Sequence, residues 1–116
     1  MLREPLVITD LIRRAQGGGM DWQPFRPGIE ICRLYEVPEG AAAALLRYAP
    51  GANVPRHAHV GYEHLYILQG SQSDERGEYR AGSLVVNPPG SSHTVNSSGG
   101  CLVLAIWERP VAFLPN

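Results

Sequence analysis

The chain has 116 residues, 44 % hydrophobic and 18 % charged, with a formal net charge of −1. That is the composition of one ordinary globular domain, long enough to bury its own core without disulfide staples. It carries no basic block, which excludes the electrostatic footprint that nucleic acid or an anionic membrane requires, and all ten basic residues are arginine, which excludes Schiff-base chemistry on a lysine.

From the N-terminus, the apolar runs of Met1 to Ala15 are short and broken by Thr9 and Asp10, so no leader is expected. Thr9–Gln16 fits one or two helical turns, stopped by Gly17-Gly18-Gly19. Residues 1–19 are therefore expected to form an N-terminal extension and 20–116 the folded domain. Met20–Gly28, with two prolines, is expected to be an extended lead-in, and Ile29–Val37 a strand. Ala41–Ala49 has residues that favour helix, but the Pro-Glu-Gly and Pro-Gly turns around it favour a strand. Further strands are expected at Val54–His59, Tyr62–Gln69, Glu78–Arg80, Leu84–Asn87, His93–Asn96 and Cys101–Glu108, with a hairpin tip at Glu75-Arg76-Gly77. Ten prolines and thirteen glycines suit so many short elements, and their close spacing predicts an all-β sandwich or barrel. The longest apolar run, Cys101–Trp107, is too short to span a bilayer. A soluble, cytoplasmic protein is expected. Cys32 and Cys101 read as free buried thiols.

All four histidines fall between positions 57 and 93. On a strand, His57 and His59 send their imidazoles to one face. Gly61 permits a bend that returns Glu63 to the same focus, and His93 follows the rigid Pro88-Pro89-Gly90 turn. Three neutral imidazoles and one carboxylate suit Zn, Mn, Fe, Ni or Cu(II), leaving a divalent site at net +1 with room for a further ligand. The pattern extends well beyond H-x-H. Gly51, His57, His59, Glu63 and Gly70, then Gly82, Pro88, Gly90 and His93, resemble the two cupin motifs at every fixed position but one. The final asparagine of the second motif would fall at Ser97, with Asn96 one place early. The resemblance implies a cupin jelly roll with a short N-terminal helical or extended segment, and metal ligands at His57, His59, Glu63 and His93. In this reading Gly51 and Gly82 permit turns into the ligand strands, and Gly70 ends the strand bearing Glu63.

A closer resemblance covers Trp22 to Trp107. Trp22-Gln23-Pro24, Pro27-Gly28, the run Leu45–Gly51, Pro55-Arg56-His57 and the run Asn87–His93 are similar to the cupin domain of ChrR-type anti-sigma factors. It implies zinc, with Fe, Mn or Ni as other candidates. It does not imply anti-sigma activity, which that family carries in a separate N-terminal helical domain for which Met1 to Gly19 is too short. Three functions stay open: a binding module or sensor for a small molecule or oxidant, a metal-dependent enzyme such as a dioxygenase or isomerase, and a purely structural ion. A small-molecule ligand and a homodimer formed through sheet edges are the expected partners. No catalytic residue is singled out. His64 should point away from Glu63, with Leu65 and Ile67 on the Glu63 side. Tyr48, Tyr62 and Tyr66 could offer a hydroxyl, Arg33, Arg47 and Arg56 could meet an anion, and Trp22 and Trp107 read as core or rim aromatics.

Overall fold

Strand β5 (Glu63–Asp74) organises the molecule, because it belongs to two sheets in turn. Its first half pairs with β9 (Cys101–Trp107) on one side and β7 (Leu84–Asn87) on the other. Its second half pairs with β6 (Gly77–Arg80) through the predicted Glu75-Arg76 tip and touches β8 (Ser92–Ser97) at Ser73. The computed structural model describes residues 2–115; Met1 and Asn116, the outer limits of the two predicted segments, lie outside that range.

The first sheet continues from β9 to β3 (Ala42–Tyr48), β2 (Ile29–Glu36) and β1 (Gln23–Arg26). The second continues from β8 to β4 (Ala52–Ala58) and β10 (Ala112–Phe113). All the pairings are antiparallel. The Ala41–Ala49 segment is thus a strand despite its alanines and leucines. Paired on both sides by β2 and β9, it follows its tertiary context over its intrinsic propensity. The lead-in carries a short strand, β1, and beyond β9 the chain returns to pair β10 with β4, Phe113 lying opposite His57.

Period-two alternation along β5 buries Glu63, Leu65 and Ile67 and turns Tyr66 outward. Leu65 and Ile67 join Val103, Ala105, Leu46 and Val95 in the core between the sheets. Each large aliphatic chain fully buried there contributes about 1.5–3 kcal/mol. A second cluster lies on the outer side of β3 and β9, where Cys32, Leu45 and Leu102 meet Ala15 of helix α1 (Leu11–Gln16), with Trp22 packed against them.

Gly70 corrects one sequence expectation. It does not end the strand bearing Glu63; β5 runs through it, pairing there with Cys101. Its φ is +71°, and a Cβ added to it would stand 2.2 Å from the Gly100 carbonyl oxygen. Glycine serves here as the point where one strand leaves the first sheet and enters the second, hard against a neighbouring backbone. Ser97, in the motif's asparagine position, is buried and donates through its hydroxyl to the Ser71 carbonyl at 2.7 Å, tying β8 to β5.

Candidate metal centre

His57 stands near the end of β4, beyond a register shift between Val54 and His57 that contains Pro55. A proline has no N–H to give a ladder, so it is tolerated at such a break. His59 lies one residue past β4 and is held by backbone: its N–H donates to the Ser91 carbonyl, and its carbonyl accepts from Gly90 N–H, both at 2.8 Å. The Pro88–Ser91 turn therefore positions His59 as well as His93. Glu63 opens β5, and His93 is the second residue of β8, directly opposite His57. The structure brings all four together, buried, with donor atoms within 4.8 Å of one another, as a group that could hold a metal ion.

Hydrogen bonds at the rear of each ring fix what it presents. His57 Nδ1 faces the Pro55 carbonyl at 2.9 Å. A carbonyl only accepts, so Nδ1 carries the proton and Nε2 a lone pair. His93 Nδ1 faces Asp74 Oδ2 at 3.1 Å, with the same result. Ser91 donates its hydroxyl to the Pro88 carbonyl at 2.6 Å and so accepts from His59 Nδ1–H at 2.8 Å. Three Nε2 lone pairs thus converge. His57 Nε2 and His93 Nε2 lie 3.0 Å apart, and His59 Nε2 lies 3.0 Å from Glu63 Oε1 without a hydrogen bond. Lone pairs this close repel unless a positive centre lies between them. Neighbouring donors around one ion with bonds near 2.1 Å stand about 3.0–3.4 Å apart; three of the spacings here are 3.0, 3.0 and 3.6 Å, and all lie within 4.8 Å. The group fits a single divalent cation.

Glu63 is held in the charged form. Burial alone pushes its carboxyl up, but in acid, where the His59 and His93 rings carry protons, their attraction and the Trp107 N–H outweigh it, and its pKa lies below the ordinary glutamate value. Asn87 Nδ2 donates to Oε1 at 3.0 Å and Trp107 Nε1 to Oε2 at 2.8 Å. Burial, with the nearby His93 and His59 rings, lowers the pKa of His57, against the opposing pull of the Pro55 carbonyl and Glu63. Asp74 in turn accepts from the Tyr79 hydroxyl at 2.8 Å and Arg76 N–H at 2.9 Å.

Several of these partners escaped sequence reading. Trp107 is not merely a rim aromatic, since it bonds the carboxylate. Asp74, Ser91 and Asn87 were not singled out at all. Asn87 and Ser91 flank the Pro-Pro-Gly turn and could have been suspected from that; Asp74 had no signal, lying in a polar hairpin far from the motifs. Among the other candidates, His64 is half-buried and off the site, and Tyr62 and Tyr66 are exposed. Arg47 is taken up by Glu30 at 2.8 Å and by the Trp22 ring at 4.2 Å, while Arg56 reaches only the Ser92 hydroxyl at 3.4 Å. Tyr48 is buried and lines the cavity beside the centre, and burial pushes its phenol well up, so it stays a neutral donor.

The bond from Trp107 yields a direct prediction. Trp107→Phe keeps an aromatic ring but leaves a buried carboxylate oxygen without its donor. Urea unfolding of the metal-free protein should show a loss of about 1.5–3 kcal/mol; a loss below about 0.5 kcal/mol would remove the bond from the account.

Beside the centre is a cavity of ≈ 40 Å³. A larger one of ≈ 380 Å³ lies outward, between β2, β3 and the 36–40 turn, with Arg33 in its lining. Phe25, Trp107, Val111 and Phe113 line both and form the wall between them. Phe113 packs on His57 with ring centroids 5.6 Å apart and is covered by the Arg26 guanidinium at 4.0 Å. Cys32 and Cys101 are buried and free. Among the described residues no helix is long and apolar enough to cross a membrane.

Comparison with known proteins agrees with this picture. Anti-sigma-E factor ChrR of Cereibacter sphaeroides is 35 % identical over 109 residues, covering 91 % of this chain and 46 % of that protein. The chain thus spans about half the length of the curated relative it matches. The crystal structure of Rhodobacter sphaeroides SigE in complex with anti-sigma ChrR superposes with a TM-score of 0.67 at 30 % identity, over 75 % of this chain and 48 % of that one. An RmlC-like cupin protein from Ralstonia eutropha gives 0.77 at 25 % identity, over 86 % and 70 %. An acetylacetone dioxygenase from Acinetobacter johnsonii gives 0.80 over 100 % and 80 %, at 17 % identity, a likeness of fold alone. The model of the ChrR cupin-like domain matches residues 14–111. This all-β double sheet with its buried His3Glu cluster is a cupin, and the chain belongs to the ChrR cupin-like domain family.

Proposed function

We propose that this chain is a metal-binding cupin module in which His57, His59, Glu63 and His93 hold one divalent ion and a small molecule is taken up beside it. The observation that carries the reading is the set of three rear hydrogen bonds that leave three Nε2 lone pairs and one carboxylate oxygen aimed at a common point. Zinc is the ion that the family resemblance implies, and it accepts this borderline donor set. When bound, it would supply Lewis acidity to a ligand oxygen. The protein's own part is to keep the carboxylate ionised through Trp107 and Asn87, to hold the three rings in one tautomer, and to wall off bulk water with Phe25, Phe113 and Val111.

A sensing or binding role is favoured over catalysis by the use already made of the histidines and carboxylates around the centre. Three histidines are ligands, His64 lies off the site, and Asp74 is engaged by His93, Tyr79 and Arg76. Similarity to an anti-sigma factor supports a regulatory setting, and the edge strands β1 and β10, each paired on one side, offer a route to a homodimer. Elemental analysis of the untagged protein tests the metal reading. The expected result is about one zinc per chain at neutral pH, lost progressively as the pH falls below about 6.5, where imidazoles begin to protonate. Native iron with oxygen consumption would move the assignment to an oxygenase, and no metal at any pH would overturn it.

A further inference from the structure

Resting on the homodimer reading above, we propose that two copies meet through the outer face of the first sheet, over β7, the first half of β5 and the end of β9. Cross-strand register sets this face out in two rows. Val86, His64, Ile106 and Ala43 stand side by side in one, and Leu84, Tyr66, Leu104 and Leu45 in the other. Their neighbours along the strands point the opposite way: Asn87 and Glu63 bond to each other in the metal centre, and Leu65 and Val103 lie in the core. None of the eight outward residues is a carboxylate, a lysine or an arginine. An antiparallel sheet with one solvated face alternates apolar with polar side chains. Strand β9 does not; it is apolar from Cys101 to Trp107, as a strand covered on both sides would be. Its cover is present at one end only, where α1 and Trp22 pack over Leu45 and Leu102. Along the second row exposure climbs from buried Leu45 through half-buried Leu104 to Tyr66 at 43 % and Leu84 at 62 %. In the first row Ile106 is 37 % and Val86 45 % exposed.

Area and charge name the occupant. Tyr66, Leu84, Val86 and Ile106 together expose on the order of 300 Å² on each copy, a patch as large as those that monomers commonly use for binding. That is the apolar centre of an interface needing about 800 Å² a side, the remainder being a polar rim. A two-fold contact lays a surface on itself, so a charged face would repel its own copy. This face has no acid, lysine or arginine to repel it, and none to select a partner of opposite charge. The edges of the sheets offer a second copy less. Strand β10 has two residues, and β1 contains Pro24, which has no N–H to give.

Analytical ultracentrifugation of the full chain from about 1 to 100 μM tests this. The wild type should form a reversible dimer with a micromolar or tighter dissociation constant. Leu84→Glu and Tyr66→Arg change well-exposed positions, so each should keep the wild-type circular-dichroism spectrum while weakening the dimer at least about tenfold. A dimer of unchanged affinity in whichever of the two variants folds would overturn this face and leave the homodimer to another contact. A wild-type chain that stays monomeric at about 100 μM would overturn both the face and the homodimer reading beneath it, and would leave the patch to a different protein.

Discussion

Stripping the zinc-loaded protein with a chelator is expected to lower its melting temperature by more than about 10 °C. The cause is the 3.0 Å approach of His57 Nε2 to His93 Nε2 together with the unpartnered Nε2 of His59. Without an ion, three buried lone pairs and an ionised carboxylate share one small volume. With an ion, every one of them is satisfied. A ligand present at a thousand times its dissociation constant stabilises the folded state by about 4 kcal/mol, and in a chain near this length each kcal/mol moves the midpoint by roughly 4–8 °C. Calorimetry with and without chelator, followed by zinc add-back, measures it. A shift under about 2 °C, or one that zinc does not reverse, would show that the cluster holds no ion of consequence.

The second large effect is expected far from the ligands. Gly70→Ala should cost more than about 3 kcal/mol, enough to leave a large unfolded fraction in a domain of ordinary stability. Two penalties combine: a left-handed backbone angle, worth about 1 kcal/mol or more for a residue with a Cβ, and a contact of 2.2 Å with the Gly100 carbonyl that backbone must move to relieve. Gly51→Ala isolates the first of these. Its φ is +84°, yet nothing lies within 4 Å of the added Cβ, so it should cost only about 1 kcal/mol. Urea unfolding of the pair separates strain from collision. Equal losses would mean that the β5–β9 crossing yields easily, contrary to the packing described.

The clustering of His57, His59, Glu63 and His93 and the strand-rich fold were legible because both depend on short-range rules. Spacing places His57 and His59 on one face, and bend residues at Gly61 and Pro88–Gly90 announce where Glu63 and His93 return. The supporting partners follow no such rule. Trp107 reaches Glu63 from 44 positions away and Asp74 reaches His93 across 19, and neither contact exists until β5 has paired with β9 and met β8. Gly70 was misread for a related reason. Glycine in a strand reads locally as a stop, whereas its role here is set by Gly100, a residue it meets only in the folded sheet.

The passage of β5 through both sheets has a mechanical consequence. Glu63 is anchored in the first sheet, between β7 and β9, while His57 and His93 sit in the second, on β4 and β8. An ion gripping all three acts as a rivet through the sandwich. Tension on either sheet is then shared by the other, and the two can no longer slide or part independently. Loading the centre should make slow amide exchange in β9 and β8 rise and fall as one, so that a change at the ion is felt at the outer edges formed by β1 and β10.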